Sequence, residues 1–181
     1  MTAQLDHFFA MLEQRGGGMY GDEPVTQLQH ALQAATLAME SEAGDFMITA
    51  ALFHDIGHLI SDDDAQAVKG GVDLAHEEVA ARTLDGIFNP EVIEPIRLHV
   101  PAKRYLCAVE PDYLSALSPA SLDSLEVQGG PFTTAEADLF IKGRHGPAAV
   151  ALRRWDDAAK DPHMTTLSLR SFRPAAERSL I

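Results

Sequence analysis

The chain holds 181 residues, of which 46% are hydrophobic and 23% charged, a balance that excludes a wholly disordered chain and fits a single domain. Its net charge of −13 argues against nucleic acid as a partner, although a metal ion can invert the local field for a small anion. No stretch approaches the roughly 20 apolar residues of a membrane span, no secretory leader is visible, and the lone Cys107 makes no internal disulfide; the expectation is a cytoplasmic protein that does not contact membranes.

Apolar spacing is helical almost throughout. Leu5, Phe8, Phe9 and Leu12 form the stripe of a first helix that stops at Gly16-Gly17-Gly18. These glycines are not a phosphate loop, because no Lys-Ser/Thr follows; they read as flexible punctuation before a loop with Tyr20 and Glu23. Pro24 is suited to open a second helix through Leu28, Leu32, Ala35 and Met39. A third is expected from about Asp45 to Ile56. An acidic run, Asp62-Asp63-Asp64, lacks calcium-loop spacing and reads as solvated. A fourth helix is expected from about Asp73 past His76 to Ile87, and a fifth from Asn89-Pro90 through Val92, Ile93, Ile96 and His99. Pro101 is expected to break it, with a short helix resuming over Lys103 to Leu106. Ser118-Pro119 opens the next, and Gly129-Gly130-Pro131 ends it. Thr133 with Glu136 fits a capping box for a helix ending by Gly143. A last long helix runs from about Pro147 through Leu152 and Trp155 to Lys160. The tail from Asp161 is expected to be extended, and Cys107 to be buried filler. The reading is an all-α bundle in one domain over residues 1–181, with its core at about 20–160.

The chemistry concentrates in histidines. His54-Asp55 ends an apolar helix, with His58 one turn on. Neighbouring His and Asp reach one metal only where the backbone turns or the helix presents its edge, and a carboxylate has two oxygens with which to bridge two ions. Nitrogen with carboxylate oxygen suits iron, manganese or zinc. His30, His76 and His99 sit on three other helices and can converge on a common axis, which is how bundles build di-metal sites. Asp156 or Asp157 on the last long helix supplies a further carboxylate. A lone histidine is more often an ordinary core or surface residue, and His7, His145 and His163 keep that reading. Four imidazoles bordered by Leu28, Phe53, Ala75 and Leu98 are different, since burying them without a metal strands donors and acceptors.

The pattern His30 … His54-Asp55 … Asp156 resembles the signature of the HD-domain superfamily, all-α metal-dependent proteins known mostly as phosphohydrolases. With His76 and His99 it is similar to the di-metal members. Tyr20 and Glu23 before His30, the stretch from His99 to Leu106, Leu117 to Ser121 and Glu126 to Gly130 resemble the phosphonate-cleaving oxygenases of that superfamily, relatives of myo-inositol oxygenase. The likeness spans about Tyr20 to Lys160. It implies a mixed-valent Fe(II)/Fe(III) pair with O2 as co-substrate. One iron would take His30, His54, Asp55 and Asp156; the other would take His76 and His99, with Asp55 bridging. It implies that Tyr20 occupies the second iron until substrate arrives, and that Glu23, or Asp22 beside it, meets a substrate ammonium. His58, Lys103, Ser121 and Gln128 would hold the phosphonate, with Ser124 nearby. The implied reaction is C–P cleavage of a 1-hydroxy-2-(ammonio or trimethylammonio)ethylphosphonate to phosphate and glycine or glycine betaine, with an upstream hydroxylase supplying the substrate. The competing readings are an HD-type phosphohydrolase of a small phosphate ester, in which the metals activate water, and a non-catalytic module. The second is disfavoured because every ligand position carries a competent side chain.

Overall fold

In the computed structural model of the chain, residues 2–60 and 75–181 are described; the Asp62 to Asp64 run and the expected helix start near Asp73 lie outside them. The described residues form helices α1 (Thr2–Arg15), α2 (Gln27–Glu40), α3 (Asp45–Phe53), α4 (Ile56–Ile60), α5 (His76–Leu84), α6 (Pro90–Val109), α7 (Tyr113–Ala116), α8 (Pro119–Val127), α9 (Thr134–Lys142), α10 (Gly146–Ala158) and α11 (Arg173–Arg178), with a 3-10 turn at Leu169–Phe172. They contain no strand, only the isolated bridges Met19 to Thr26 and Phe88 to Leu180. The all-helical reading holds.

Helix α3 is the hub. Every residue from Ile48 to Phe53 is buried, so the helix is covered on all sides and contacts α2, α6, α10 and α11. The α1 stripe of Leu5, Phe8, Phe9 and Leu12 is buried, with Phe9 edge-on to Phe53 at 5.8 Å between ring centres. α6 runs along α10.

Local chemistry explains where several boundaries fall. Pro24 does not open α2. Thr26 does, accepting from Gln29 N–H in a reciprocal capping box. The Thr133 and Glu136 box forms as expected, and Ser118 caps α8. α3 ends at Phe53 rather than Ile56, and the chain turns at His54-Asp55 before α4 begins. α5 ends at Leu84, short of Ile87. Pro101 does not break α6, which continues through Pro95 and Pro101 to Val109. A helical proline costs a hydrogen bond, but Val100, Ala102, Lys103 and Leu106 are buried around it, and that packing keeps the helix continuous.

The tail also departs from the expected extended form. After residue 168 it turns helical and buries Leu169, Phe172, Ala175 and Ala176. Thr49 and Ser179 hydroxyls pair at 3.0 Å, and Asn89 N–H donates to Ser179 O at 2.9 Å, so the tail closes the end of α3 and α6. Gly16 is a packing residue rather than a hinge, since a Cβ there would sit 2.8 Å from Leu28 Cβ. Cys107 is half-buried rather than buried.

Candidate metal centre

The turn that interrupts the chain between α3 and α4 aims His54 and Asp55 into one buried space, which His30 enters from α2, His76 from α5, His99 from α6 and Asp156 from α10. Asp55 is the pivot. Its Oδ2 lies 3.5 Å from His30 Nε2 and 3.4 Å from His54 Nε2, while its Oδ1 lies 3.4 Å from His76 Nε2 and 3.5 Å from His99 Nε2. Asp156 Oδ1 approaches His30 Nε2 at 3.4 Å. The donors therefore fall into two sets, His30, His54, Asp55 and Asp156 on one side and Asp55, His76 and His99 on the other.

The imidazoles are aimed by their far nitrogens. Nδ1 of His30 donates to Ala159 O at 2.8 Å, Nδ1 of His54 to Ala51 O at 2.9 Å, and Nδ1 of His99 to Ile96 O at 2.7 Å. Each bond leaves Nε2 facing the centre, the arrangement that orients metal-binding histidines. Ala159 is held in turn by Gln33, whose side chain bonds both N–H and C=O of Asp161 at 3.1 and 2.7 Å. That clamp fixes the end of α10 on α2.

These residues fit a pair of metal ions. His30 and His54 Nε2 stand 3.1 Å apart, and His76 and His99 Nε2 stand 3.2 Å apart. Two nitrogens about 2.1 Å from a shared ion at roughly 90–110° are separated by about 3.0–3.4 Å. Neither oxygen of Asp55, nor Asp156 Oδ1, accepts a hydrogen bond among the described residues, although all are buried. The nitrogen and carboxylate set suits a divalent or trivalent transition metal. Burial pushes His30 down, but Asp156 and Asp55 lift it to about 9. Burial takes His99 the other way, to about 3. Burial alone would raise Asp55, yet the His54 and His58 imidazoles hold it well below the carboxylate range.

Asp156 and Asp157 are separated by their partners. Asp156 turns inward, held through Oδ2 by Arg153 Nη1 at 2.8 Å. Asp157 faces away and pairs with Arg153 and the Tyr113 hydroxyl. The same contrast divides Asp22, which is exposed, from Glu23, whose side chain is 12% exposed.

The loop before α2 folds over the cluster. Tyr20 N–H donates to Val25 O at 2.9 Å, and the Tyr20 ring stacks on His30 at 3.9 Å. Desolvation, then the charges of Asp55 and Asp156, hold the Tyr20 hydroxyl neutral. His58 stacks on His76 at 4.0 Å. Beyond the histidines, Lys103 Nζ donates to Ser124 Oγ at 2.7 Å. Burial, reinforced by Arg153, pulls Lys103 down to about 7. Ser121 Oγ accepts from Lys160 at 3.2 Å and Arg153 at 3.5 Å. Gln128 Oε1 is buried without a hydrogen bond among the described residues. The six expected ligands gather in two sets on this space, with Tyr20 stacked on His30 and His58 on His76.

Sequence reasoning missed Tyr113, Gln33 and Lys160 as parts of the site. Arg153 carried a signal, since it stands three and four residues before the aspartates on one helix. Gln33 and Lys160 act across 128 and 39 residues of sequence and carried none.

An all-helical core with its histidines and aspartates gathered on one bridging carboxylate is the architecture of the HD-domain proteins. The HD-domain profile matches residues 28–124, and the chain belongs to that family. It is 47% identical over 173 residues to the hydroxymethylphosphonate dioxygenase of Gimesia maris, covering 95% of this chain and 86% of the relative. It is 38% identical over 168 residues to the glycine-betaine-forming [1-hydroxy-2-(trimethylamino)ethyl]phosphonate dioxygenase of Leisingera caerulea, covering 93% of this chain and 86% of the relative. No helix among the described residues is long and apolar enough to cross a membrane.

Proposed function

We propose that this protein is an O2-dependent di-iron dioxygenase that cleaves the C–P bond of a 1-hydroxyalkylphosphonate to inorganic phosphate and a carboxylic acid. The observation that carries the reading is Asp55, whose two oxygens each face a separate set of histidine nitrogens. The two dioxygenase relatives support it. One iron is assigned to His30, His54, Asp55 and Asp156, and the other to Asp55, His76 and His99. Bound there, the mixed-valent pair supplies Lewis acidity toward the substrate's hydroxyl and phosphonate oxygens and the electrons for activating O2.

The chain's own residues bind and orient. Lys103, Ser121, Gln128 and His58 hold the phosphonate end, Lys103 and His58 as charge-assisted donors. Arg153 pairs with Asp156 and Asp157 at once and offsets one of their two negative charges beside the phosphonate end. Tyr20, stacked on His30, would occupy the second iron until substrate arrives and then swing away. Glu23, beside Tyr20, faces the substituent on the carbon that bears the hydroxyl. For the smallest substrate, hydroxymethylphosphonate, addition of O2 balances to formate and phosphate; for the trimethylammonio compound it balances to glycine betaine and phosphate. A hydroxylase acting on the parent phosphonate must supply either one.

The test is metal analysis with EPR of partly reduced protein, followed by phosphate release with and without O2. Two irons per chain, a mixed-valent signal perturbed by a 1-hydroxyphosphonate, and phosphate released only under O2 are expected. Phosphate released from a phosphate ester without O2 would move the function to hydrolysis.

A further inference from the structure

Lys160 lies just beyond the C-terminal end of α10 and turns back into the site. Its Nζ is 3.2 Å from Glu23 Oε1, and the two side chains are 14% and 12% exposed. The same ammonium donates to Ser121 Oγ at 3.2 Å and Ser118 Oγ at 3.4 Å. It stands 5.9 Å from the centre of the Tyr20 ring. A carboxylate, an aromatic ring and two hydroxyls form a cage suited to an alkylammonium, and Glu23 Oε1 makes no directional hydrogen bond that would commit it elsewhere. The cage is filled by the chain's own ammonium.

We infer that Lys160 is the specificity-determining residue of this pocket: by pairing with Glu23 it takes the place of a substrate cation, so the protein selects 1-hydroxyphosphonates that carry no cationic substituent. The inference rests on the phosphonate reading above and departs from the zwitterionic substrate that the sequence suggested. A substrate ammonium entering the cage must either expel Lys160 or lie beside it, and like charges at that range repel. A small or uncharged substituent meets a neutral Lys160–Glu23 pair and leaves it intact.

The experiment uses two unreactive phosphonates of one shape and different charge, 2-(trimethylammonio)ethylphosphonate and 3,3-dimethylbutylphosphonate. They are titrated into metal-loaded protein in the absence of O2. Wild type is expected to bind the neutral compound more tightly by about tenfold or more, and Lys160→Met to invert the preference, because it leaves Glu23 unpaired. Lys160→Arg, which keeps the charge, is expected to retain the wild-type preference, so a general loss of folding is told apart from loss of the cation. The inference is overturned if wild type binds the cationic compound as tightly as the neutral one, if Lys160→Met leaves the ratio unchanged, or if neither compound binds saturably. An inverted ratio with no O2-dependent phosphate release from any 1-hydroxyphosphonate keeps the inference and removes the oxygenase. O2-dependent release with an unmoved ratio does the reverse.

Discussion

Replacing Gly57 with alanine tests whether the two halves of the metal centre are held by different contacts. Gly57 lies on α4, two residues after Asp55, and a Cβ built there would sit 2.1 Å from the His76 carbonyl oxygen and 2.9 Å from its carbon. An ordinary carbon–oxygen contact is about 3.3 Å or longer, so α4 and the start of α5 must part by roughly 1.2 Å. The obstacle is backbone and cannot rotate away. His76 Nε2 now stands 3.4 Å from Asp55 Oδ1, and metal ligation tolerates only about 0.2 Å of misplacement. The set of Asp55, His76 and His99 therefore fails, while His30, His54 and Asp156, carried by α2, the turn after α3 and α10, keep their places. Overpacking of this kind costs about 1–3 kcal/mol, which for a chain this long lowers Tm by several degrees. Metal content by mass spectrometry and a thermal melt read both effects. Iron is expected to fall from two ions per chain to about one. Two ions at full occupancy with an unchanged Tm would refute the packing argument, and loss of both ions would refute the separation of the halves.

Asp55→Ala is expected to empty both positions, since each set of nitrogens faces one of its oxygens; one ion retained at wild-type affinity removes the bridging role. Lys103, held by burial and by Arg153 at about 7 against an ordinary 10.5, sheds its proton in the folded state long before the unfolded chain does. Between those values the unfolded state binds the extra proton, so stability rises with pH, by at most about 1.4 kcal/mol per unit. Urea midpoints from pH 7 to 10 are expected to climb more steeply for wild type than for Lys103→Met, and parallel slopes contradict the assignment. Phe172→Ala removes a side chain 1% exposed and is expected to cost about 3–5 kcal/mol. A loss below about 1 kcal/mol in urea unfolding would return the tail to a dispensable role.

The residues of the centre were legible because each demand was local. His54-Asp55 stands at a turn, and the other histidines interrupt apolar stripes where an unpaired imidazole is costly. Capping residues fixed the starts of α8 and α9 for the same reason. Pro101 misled because the burial of Val100, Ala102 and Leu106 outweighs a lost hydrogen bond, and that burial is a property of the assembled bundle. The tail misled because its anchors, Thr49 for Ser179 and Ile87 for Ile181, lie far back in the chain. The substrate expectation came from the resemblance, which matched the cationic end to Glu23. Its partner Lys160 comes 137 positions later in the numbering, and no spacing rule connects them.

The bonds from the imidazoles to main-chain carbonyls set an order of events during synthesis. His54, in the turn that ends α3, and His99, on α6, are each steered by a carbonyl three residues earlier, so these rings can be aimed as soon as α3 and α6 form. His30 waits for Ala159, 129 residues downstream, and for the Gln33 clamp that holds it. A nascent chain emerging from the ribosome thus presents imidazoles to metal early but completes the set of His30, His54, Asp55 and Asp156 last. The aim of His30 depends on a carbonyl made long after the histidine itself, and a chain cut short before Ala159 lacks that contact.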